Sequence, residues 1–183
     1  MEDSQRGYAW LLALGIALLF LAPGPSSAQT TSEYQVKAAY IYNFAKFVEW
    51  PAQDFASPTA PIRLCLLNDQ SFESDLNQIV KGKKISGRPI TVAPVQNGEQ
   101  SRSCHILFIN SSHNSEAQRI IEVLRNTSVL TVGESPGFVE EGGIINFVLQ
   151  DDHVHFQVNH RAADQGGLHI SSRLLSVATL VIE

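Results

Sequence analysis

Two cysteines, three clustered histidines and a serine pair are the side chains best placed by type and spacing to do chemistry. Cys65 and Cys104 each fall in a short apolar run of strand length, IRLCLL over 62–67 and CHILFI over 104–109. Two thiols in an exported chain suit one disulfide. Closing so long a loop would contribute about 4 kcal/mol through lost chain entropy; the rival is two separate buried thiols. On a strand, His153 and His155 project to one face. With His160 close by, they invite zinc or copper. No nearby cysteine or H-E-x-x-H helix supports that, so ordinary histidines on an exposed hairpin are the simpler reading, and no metal or cofactor is expected. Ser171-Ser172 caps a helix more readily than it attacks a substrate. No G-x-S-x-G elbow, Walker loop or G-x-G-x-x-G run is present. Gly142-Gly143, after Glu140-Glu141, lets the backbone enter a strand rather than cradling phosphate. Asn110-Ser-Ser and Asn126-Thr-Ser match the glycosylation sequon, which matters only in a eukaryotic host. No catalytic residue is assigned, and an enzyme is not expected.

Composition narrows the remaining classes. The chain has 183 residues, 44% hydrophobic and 17% charged, with a net charge of -5. Such a chain is not disordered, and its acidic balance argues against nucleic acid as a partner. Residues 8–21 carry no charge and are followed by Pro23, Gly24, Pro25 and then Ser26-Ser27-Ala28. That order reads as a secretory signal over residues 1–28, cleaved after Ala28. A retained anchor is the rival, but 14 apolar residues (8–21) fall short of the ~20 that span a bilayer. Cleavage would remove Glu2, Asp3 and Arg6 with the 28 residues, leaving 155 residues (29–183) and a net charge of -4. That is enough for one core.

The elements that must position these side chains follow from periodicity. Tyr34 to Trp50 has helical spacing, with Val36, Tyr40, Phe44, Phe47 and Val48 on one face and Pro51 as the stop. Its aromatic density suits core packing; Tyr42 or Trp50 lining a binding surface is the sharper alternative. Ile62–Leu67 reads as a buried strand, and 71–80 as a helix with Phe72, Leu76, Ile79 and Val80 inward and Gly82 as its stop. Lys81, Lys83 and Lys84 cluster at that helix end, where the dipole favours cations. A solvated end is the simpler reading and a phosphate site the alternative. Residues 89–95 read as a strand that Pro94 places at an edge or an end. The run 104–109 is a second buried strand. A helix capped by Asn114 or Ser115 follows, with Ala117, Ile120, Ile121 and Leu124 inward. Residues 129–132 form a further strand. This alternation predicts parallel pairing with crossover helices. Runs 144–149 and 153–158, joined by Gln150-Asp151-Asp152, read as an antiparallel hairpin. Helical pieces near 159–164 and 171–178 close the chain. The expectation is an α/β single domain with a mixed parallel/antiparallel sheet flanked by helices.

The segment 36–51, VKAAYIYNFAKFVEWP, resembles the opening signature of the YfiR-like family of bacterial periplasmic proteins. Three further stretches are similar to the rest of that pattern: Ser86-Gly87-Arg88-Pro89-Ile90; Val132-Gly133-Glu134 leading to Gly142-Gly143-Ile144-Ile145-Asn146-Phe147; and residues 167–178, GLHISSRLLSVA. The resemblance covers essentially the whole of 29–183 and implies one mixed sheet flanked by helices in the periplasm. It also implies a repressor that binds the periplasmic sensor region of a membrane diguanylate cyclase, lowering cyclic di-GMP and limiting biofilm. Members of that kind form homodimers and are disulfide-stabilised, and Cys65 and Cys104 would match their bridge. The second cysteine pair of some members is missing, so a redox switch built on it is not expected.

Residue type and family position then suggest a docking patch of Tyr42, Trp50, Phe138 and Leu168, and a polar site of Glu134, Asn159 and Arg173 near the final helix. A small-molecule carrier or sensor, serving a transporter, receptor or sensor kinase, is the second class. α/β folds bind ligands beyond the carboxyl ends of parallel strands, here Asn68-Asp69, Asn110-Ser111 and Gly133-Glu134.

Overall fold

The computed structural model describes residues 27–183, with side chains described from 33 onward except that of residue 114. The chain divides into two compact units, Met1–Thr31 and Ser32–Glu183. Only the opening residues of the first helix are described in the former. The expected leader, residues 1–28, lies but for its last two residues outside the described residues.

The first helix, α1 (Ser27–Phe47), buries Ala38, Ile41, Phe44 and Ala45, a stripe with the three-and-four spacing of one helix face. That stripe is rotated from the expected one. Val36 is 41% exposed, and Tyr40 and Phe47 lie at the margin. Small and apolar residues carry the contact, and the aromatics flank it. The helix stops at Phe47, three residues early. Val48 and Glu49 instead form a short strand, β1 (Val48–Glu49). Its antiparallel partner comes from the far end of the chain, a long-range pairing that local spacing does not encode.

The central strand β2 (Ile62–Leu67) sends Leu64 and Leu66 to one face and Cys65 and Leu67 to the other, all buried. Helix α2 (Gln70–Val80) follows, buries Phe72, Leu76 and Val80, and is capped by Asp69, whose carboxylate accepts the Phe72 N–H. Gly82 then takes a positive φ of 71°. A hairpin joins β3 (Lys84–Ile85) to β4 (Arg88–Val95). β3 pairs only with Pro89 and Arg88, so β4 is an open edge from Ile90 onward, where Pro94 has no ladder hydrogen bond to lose. A short turn of helix, α3 (Gly98–Ser101), leads to β5 (Ile106–Ile109).

Helix α4 (Asn114–Leu124) buries Ala117, Ile120, Ile121 and Leu124, the expected face. The expected cap is displaced: a 3-10 turn over Ser111–His113 precedes the helix, and His113 occupies the cap position with no side-chain capping bond, its ring turned to Asn110 instead. Then come β6 (Leu130–Gly133), β7 (Ile145–Gln150) and β8 (His153–Asn159). The β7–β8 turn places Asp151 and Asp152 at positive φ, 51° and 60°, as a two-residue hairpin requires. Helix α5 (His160–Gln165), β9 (His169–Ile170), α6 (Ser172–Leu175) and β10 (Leu180–Ile182) complete the chain. The helix expected over 171–178 ends at Leu175 in a turn, and β10, which the periodicity does not predict, follows it.

Among the described residues the main sheet has the order β10-β8-β7-β6-β5-β2-β4-β3, and β1 pairs with β9 separately. Pairings from β4 through β7 are parallel, β7–β8 and β3–β4 are antiparallel, and β8–β10 is parallel. One face packs on α1 and α2 around Phe44, Phe72, Phe108, Phe147 and Phe156. The other packs on α4. The chain is an α/β domain with a mixed sheet, as its periodicity predicts.

Candidate functional site

The carboxyl ends of β2, β5 and β6 lie side by side, and the polar residues that follow them meet. Asp69 accepts hydrogen bonds from Ser71 Oγ (2.8 Å), the Phe72 N–H (3.1 Å) and Asn110 Nδ2 (2.8 Å). Burial pushes its carboxyl upward, but these donors outweigh it, so the Asp69 pKa stands below the ordinary carboxylate value. Glu134 accepts the Ser111 N–H at 3.0 Å through one oxygen and Lys37 Nζ at 2.5 Å through the other. Lys37 reaches over from α1 and also pairs with Glu33 at 2.5 Å. The Lys37 and Glu134 side chains are 10% and 9% exposed. Burial would lower the lysine pKa, yet the bonds to both carboxylates leave it above its ordinary value. Tyr34, its ring tilted against Phe72 at 5.2 Å, has its hydroxyl pKa raised by burial and by the charges of Glu134 and Asp69.

At this place, where an α/β fold offers a ligand crevice, Lys37 of the protein's own first helix takes up Glu134, and Asn110 takes up Asp69. What remains beside it is an open groove of about 490 Å³ lined by Asn68, Gln70, Pro94, Gln96 and Gln100. Lys37 had no part in the reading from sequence, because helical spacing set it on the solvent side. The readable signal was its i,i+4 relation to Glu33.

A second constellation surrounds the disulfide. Cys65 and Cys104 are joined across β2 and the approach to β5, with Cα atoms 5.9 Å apart. The next residue, His105, is buried, accepts the Arg63 N–H through Nδ1 at 3.0 Å, and stacks on Phe55 at 4.5 Å and 17°. Trp50 donates its indole N–H to the His105 carbonyl at 3.1 Å. Arg88 covers Phe55 at 3.6 Å and donates to the Ser57 and Ala60 carbonyls, holding the 55–60 loop down. His105 Nε2 and Asp54 Oδ2 are buried without a hydrogen-bond partner. Burial, aided by the Arg63 charge, holds the His105 pKa below its ordinary value. The histidine is thus a neutral core group, and its own run CHILFI is the signal that it is buried.

The structure separates the residues singled out from sequence. Phe138 and Leu168 are 1% and 2% exposed. Both belong to the core and offer no side chain to a partner, which corrects the patch proposed for them. Phe138 lies against Gly133 and Gly143: a Cβ on Gly133 would stand 2.5 Å from its ring, and one on Gly143 would overlap it. The glycine pair therefore serves packing. Asn159 caps α5, accepting the Ala162 N–H at 2.8 Å and donating to the Val139 carbonyl at 2.7 Å. Glu134 is bound to Lys37, and Arg173 is exposed on α6, so the three polar candidates have separate surroundings. Tyr42 and Trp50 stay half-exposed, Tyr42 with Lys46 and Lys83 against its ring at 4.2 and 4.4 Å. Ser171 caps α6 by accepting the Arg173 N–H. Among the described residues no three metal-capable side chains converge, and no helix is long and apolar enough to cross a membrane.

A family model described as YfiR/HmsC-like matches residues 34–179. No curated protein matches the chain in sequence. Among solved structures, a conserved domain protein from Vibrio cholerae O1 biovar eltor is 13% identical with a TM-score of 0.50, covering 81% of this chain and 60% of that one. The ABC domain from Streptococcus pneumonia in complex with L-Trp is 12% identical with a TM-score of 0.51, covering 81% of this chain and 62% of that one. This chain thus spans about three fifths of either structure. At such identities the likeness speaks for the fold alone.

Proposed function

The chain belongs to the YfiR/HmsC-like family, a family of periplasmic regulators, and from that premise we propose that it represses a membrane diguanylate cyclase, or a similar sensor, through that partner's periplasmic domain. The family match over 34–179 carries this reading. The site geometry supports it, because Asp69 and Glu134 at the strand ends are engaged by the protein's own Asn110, Lys37 and Ser111 rather than left free for a substrate. A regulator of this kind acts from its surface. Repression requires it to bind the partner's inactive state more tightly than the active one. Tyr42, Trp50 and Arg173 are the surface residues retained for that contact. The disulfide fits an oxidising compartment and would keep the scaffold rigid there.

The test has two arms. Deleting the gene should raise cyclic di-GMP and biofilm mass, and the tagged protein should retain a cyclase from solubilised membranes. Unchanged cyclic di-GMP in the deletion strain would overturn the reading. Binding of a small molecule, serving a transporter, receptor or sensor kinase, is the second reading. The amide-lined groove of Asn68, Gln70, Gln96 and Gln100 favours it. A ligand that raises the melting temperature, and loses that effect in Gln100→Ala, would support it.

A further inference from the structure

Two lysines from separate parts of the chain meet at one aromatic ring, and two more lie beside one of them in sequence. Lys46 lies in the last turn of α1, and Lys81, Lys83 and Lys84 follow the end of α2. All four are exposed. The fold joins the two groups through Tyr42, whose ring has the Lys46 ammonium at 4.2 Å and the Lys83 ammonium at 4.4 Å. Two like charges held against one ring repel each other, and the ring quadrupole offsets only part of that. Among the described residues, none of the four has a carboxylate within ion-pair distance, whereas Lys37, Arg102 and Arg125 each have one. The dipole of α2 accounts for a cation at Lys81. The dipole of α1 likewise suits Lys46 in its last turn, where it also donates to Asn43 Oδ1 at 2.8 Å; neither dipole accounts for Lys83 turned onto Tyr42. The chain as a whole is acidic, so this basic patch is an asymmetry.

From this juxtaposition we propose that the Tyr42–Lys46–Lys83 face, with Lys81 and Lys84, docks on an anionic phospholipid surface. The chemistry of the patch favours headgroups over an acidic protein. A tight protein interface needs an apolar anchor in a dry pocket and forked, planar donors. Here the exposed large hydrophobics, Val36, Leu149, Val177 and Leu180, lie on other residues. The donors are lysines, compact point charges on flexible stems that suit laterally mobile phosphates. Juxtamembrane lysines gain from the negative surface potential within a Debye length, and a tyrosine ring sits well at headgroup depth. Such a face would hold the protein on the membrane by charge alone, reversibly and with strong salt dependence. The inference does not rest on the identity of any protein partner.

The test is co-sedimentation of the full chain, as recovered from the envelope of the expressing cell, with phosphatidylcholine vesicles with and without about 30% phosphatidylglycerol. Binding should be at least about tenfold stronger to the anionic vesicles at low salt, and lost near 0.5 M salt as the Debye length shrinks. The double substitution Lys46→Glu and Lys83→Glu should abolish the difference. Unfolding curves of that variant check its fold, and Lys46→Gln with Lys83→Gln should fall between the two. Equal binding to both vesicle types, or equal binding by wild type and variant, overturns the proposal. Retention on an immobilised acidic polypeptide but not on anionic vesicles also overturns it, and assigns the face to an acidic protein.

Discussion

Lys37 and Glu134 form a nearly buried ion pair whose cost and benefit are both large. Removing water from two charges is expensive, and only their mutual attraction and further hydrogen bonds offset it. Here Glu33 and the Ser111 N–H supply those bonds. Lys37→Ala leaves a buried carboxylate unpaired and should cost about 3 kcal/mol in urea unfolding. Lys37→Met combined with Glu134→Leu should recover most of that loss. His105 gives a pH prediction. Its folded pKa is depressed below 6.5 by burial, so the unfolded chain binds the proton more readily. The stability this contributes is present above about pH 6.5 and is lost as pH falls toward the folded value. Urea midpoints measured between pH 7 and pH 5 should decline in the wild type and decline less in His105→Asn. An equal decline in both would assign the effect to other groups. Asp69, with a carboxyl pKa below the ordinary value, contributes throughout that range and loses its share only in stronger acid.

At the scale of elements, the disulfide ties the central strand β2 to the residue before β5. The sequence separation of 39 gives about 4 kcal/mol by loop entropy, a large part of a typical stability margin. Reduction, or Cys65→Ala with Cys104→Ala, should lower the urea midpoint accordingly while the sheet persists in far-UV circular dichroism. The β6–β7 connection depends on Phe138 lying between two glycines. Phe138→Ala should cost about 3–4 kcal/mol through lost burial and the cavity left behind. Gly143→Ala should also destabilise, because the added methyl overlaps the ring. Melting temperatures of the two single variants and the double variant check the coupling. The double variant should be less destabilised than the sum of the two, since the smaller side chain at 138 leaves room for the methyl.

At the scale of the molecule, the sheet is closed at one side by β10, a C-terminal strand lying parallel to β8. Truncation after residue 178 would expose the backbone edge of β8 and leave Val158 less covered. It should lower the melting temperature and promote self-association visible in size-exclusion chromatography. The charge distribution makes a second statement at this scale. An acidic protein that brings Lys46 and Lys83 together at Tyr42 would, on the proposed docking, turn that face toward a negative surface.

Legibility followed the range of the interactions. Strands β2 and β5, the inner faces of α2 and α4, and the β7–β8 hairpin were readable because burial imposes a period on neighbours in sequence. Gly82 marked the end of α2 for a local steric reason, whereas α1 ended short of Pro51, and the expectation of export suggested that the two cysteines pair. The rotation of α1, the β1–β9 pair and the strand β10 were not readable, since each is set by a partner distant along the chain. The same holds for the site. The sequence named the three strand ends, but only packing brought Lys37 over Glu134. Type and position nominated Phe138 and Leu168 as surface anchors, whereas the core claimed both, because a large apolar side chain reads alike in a patch and in an interior. Composition and periodicity determined the class of fold; which charges are paired, which aromatics are exposed and which lysines meet was decided by tertiary contacts alone.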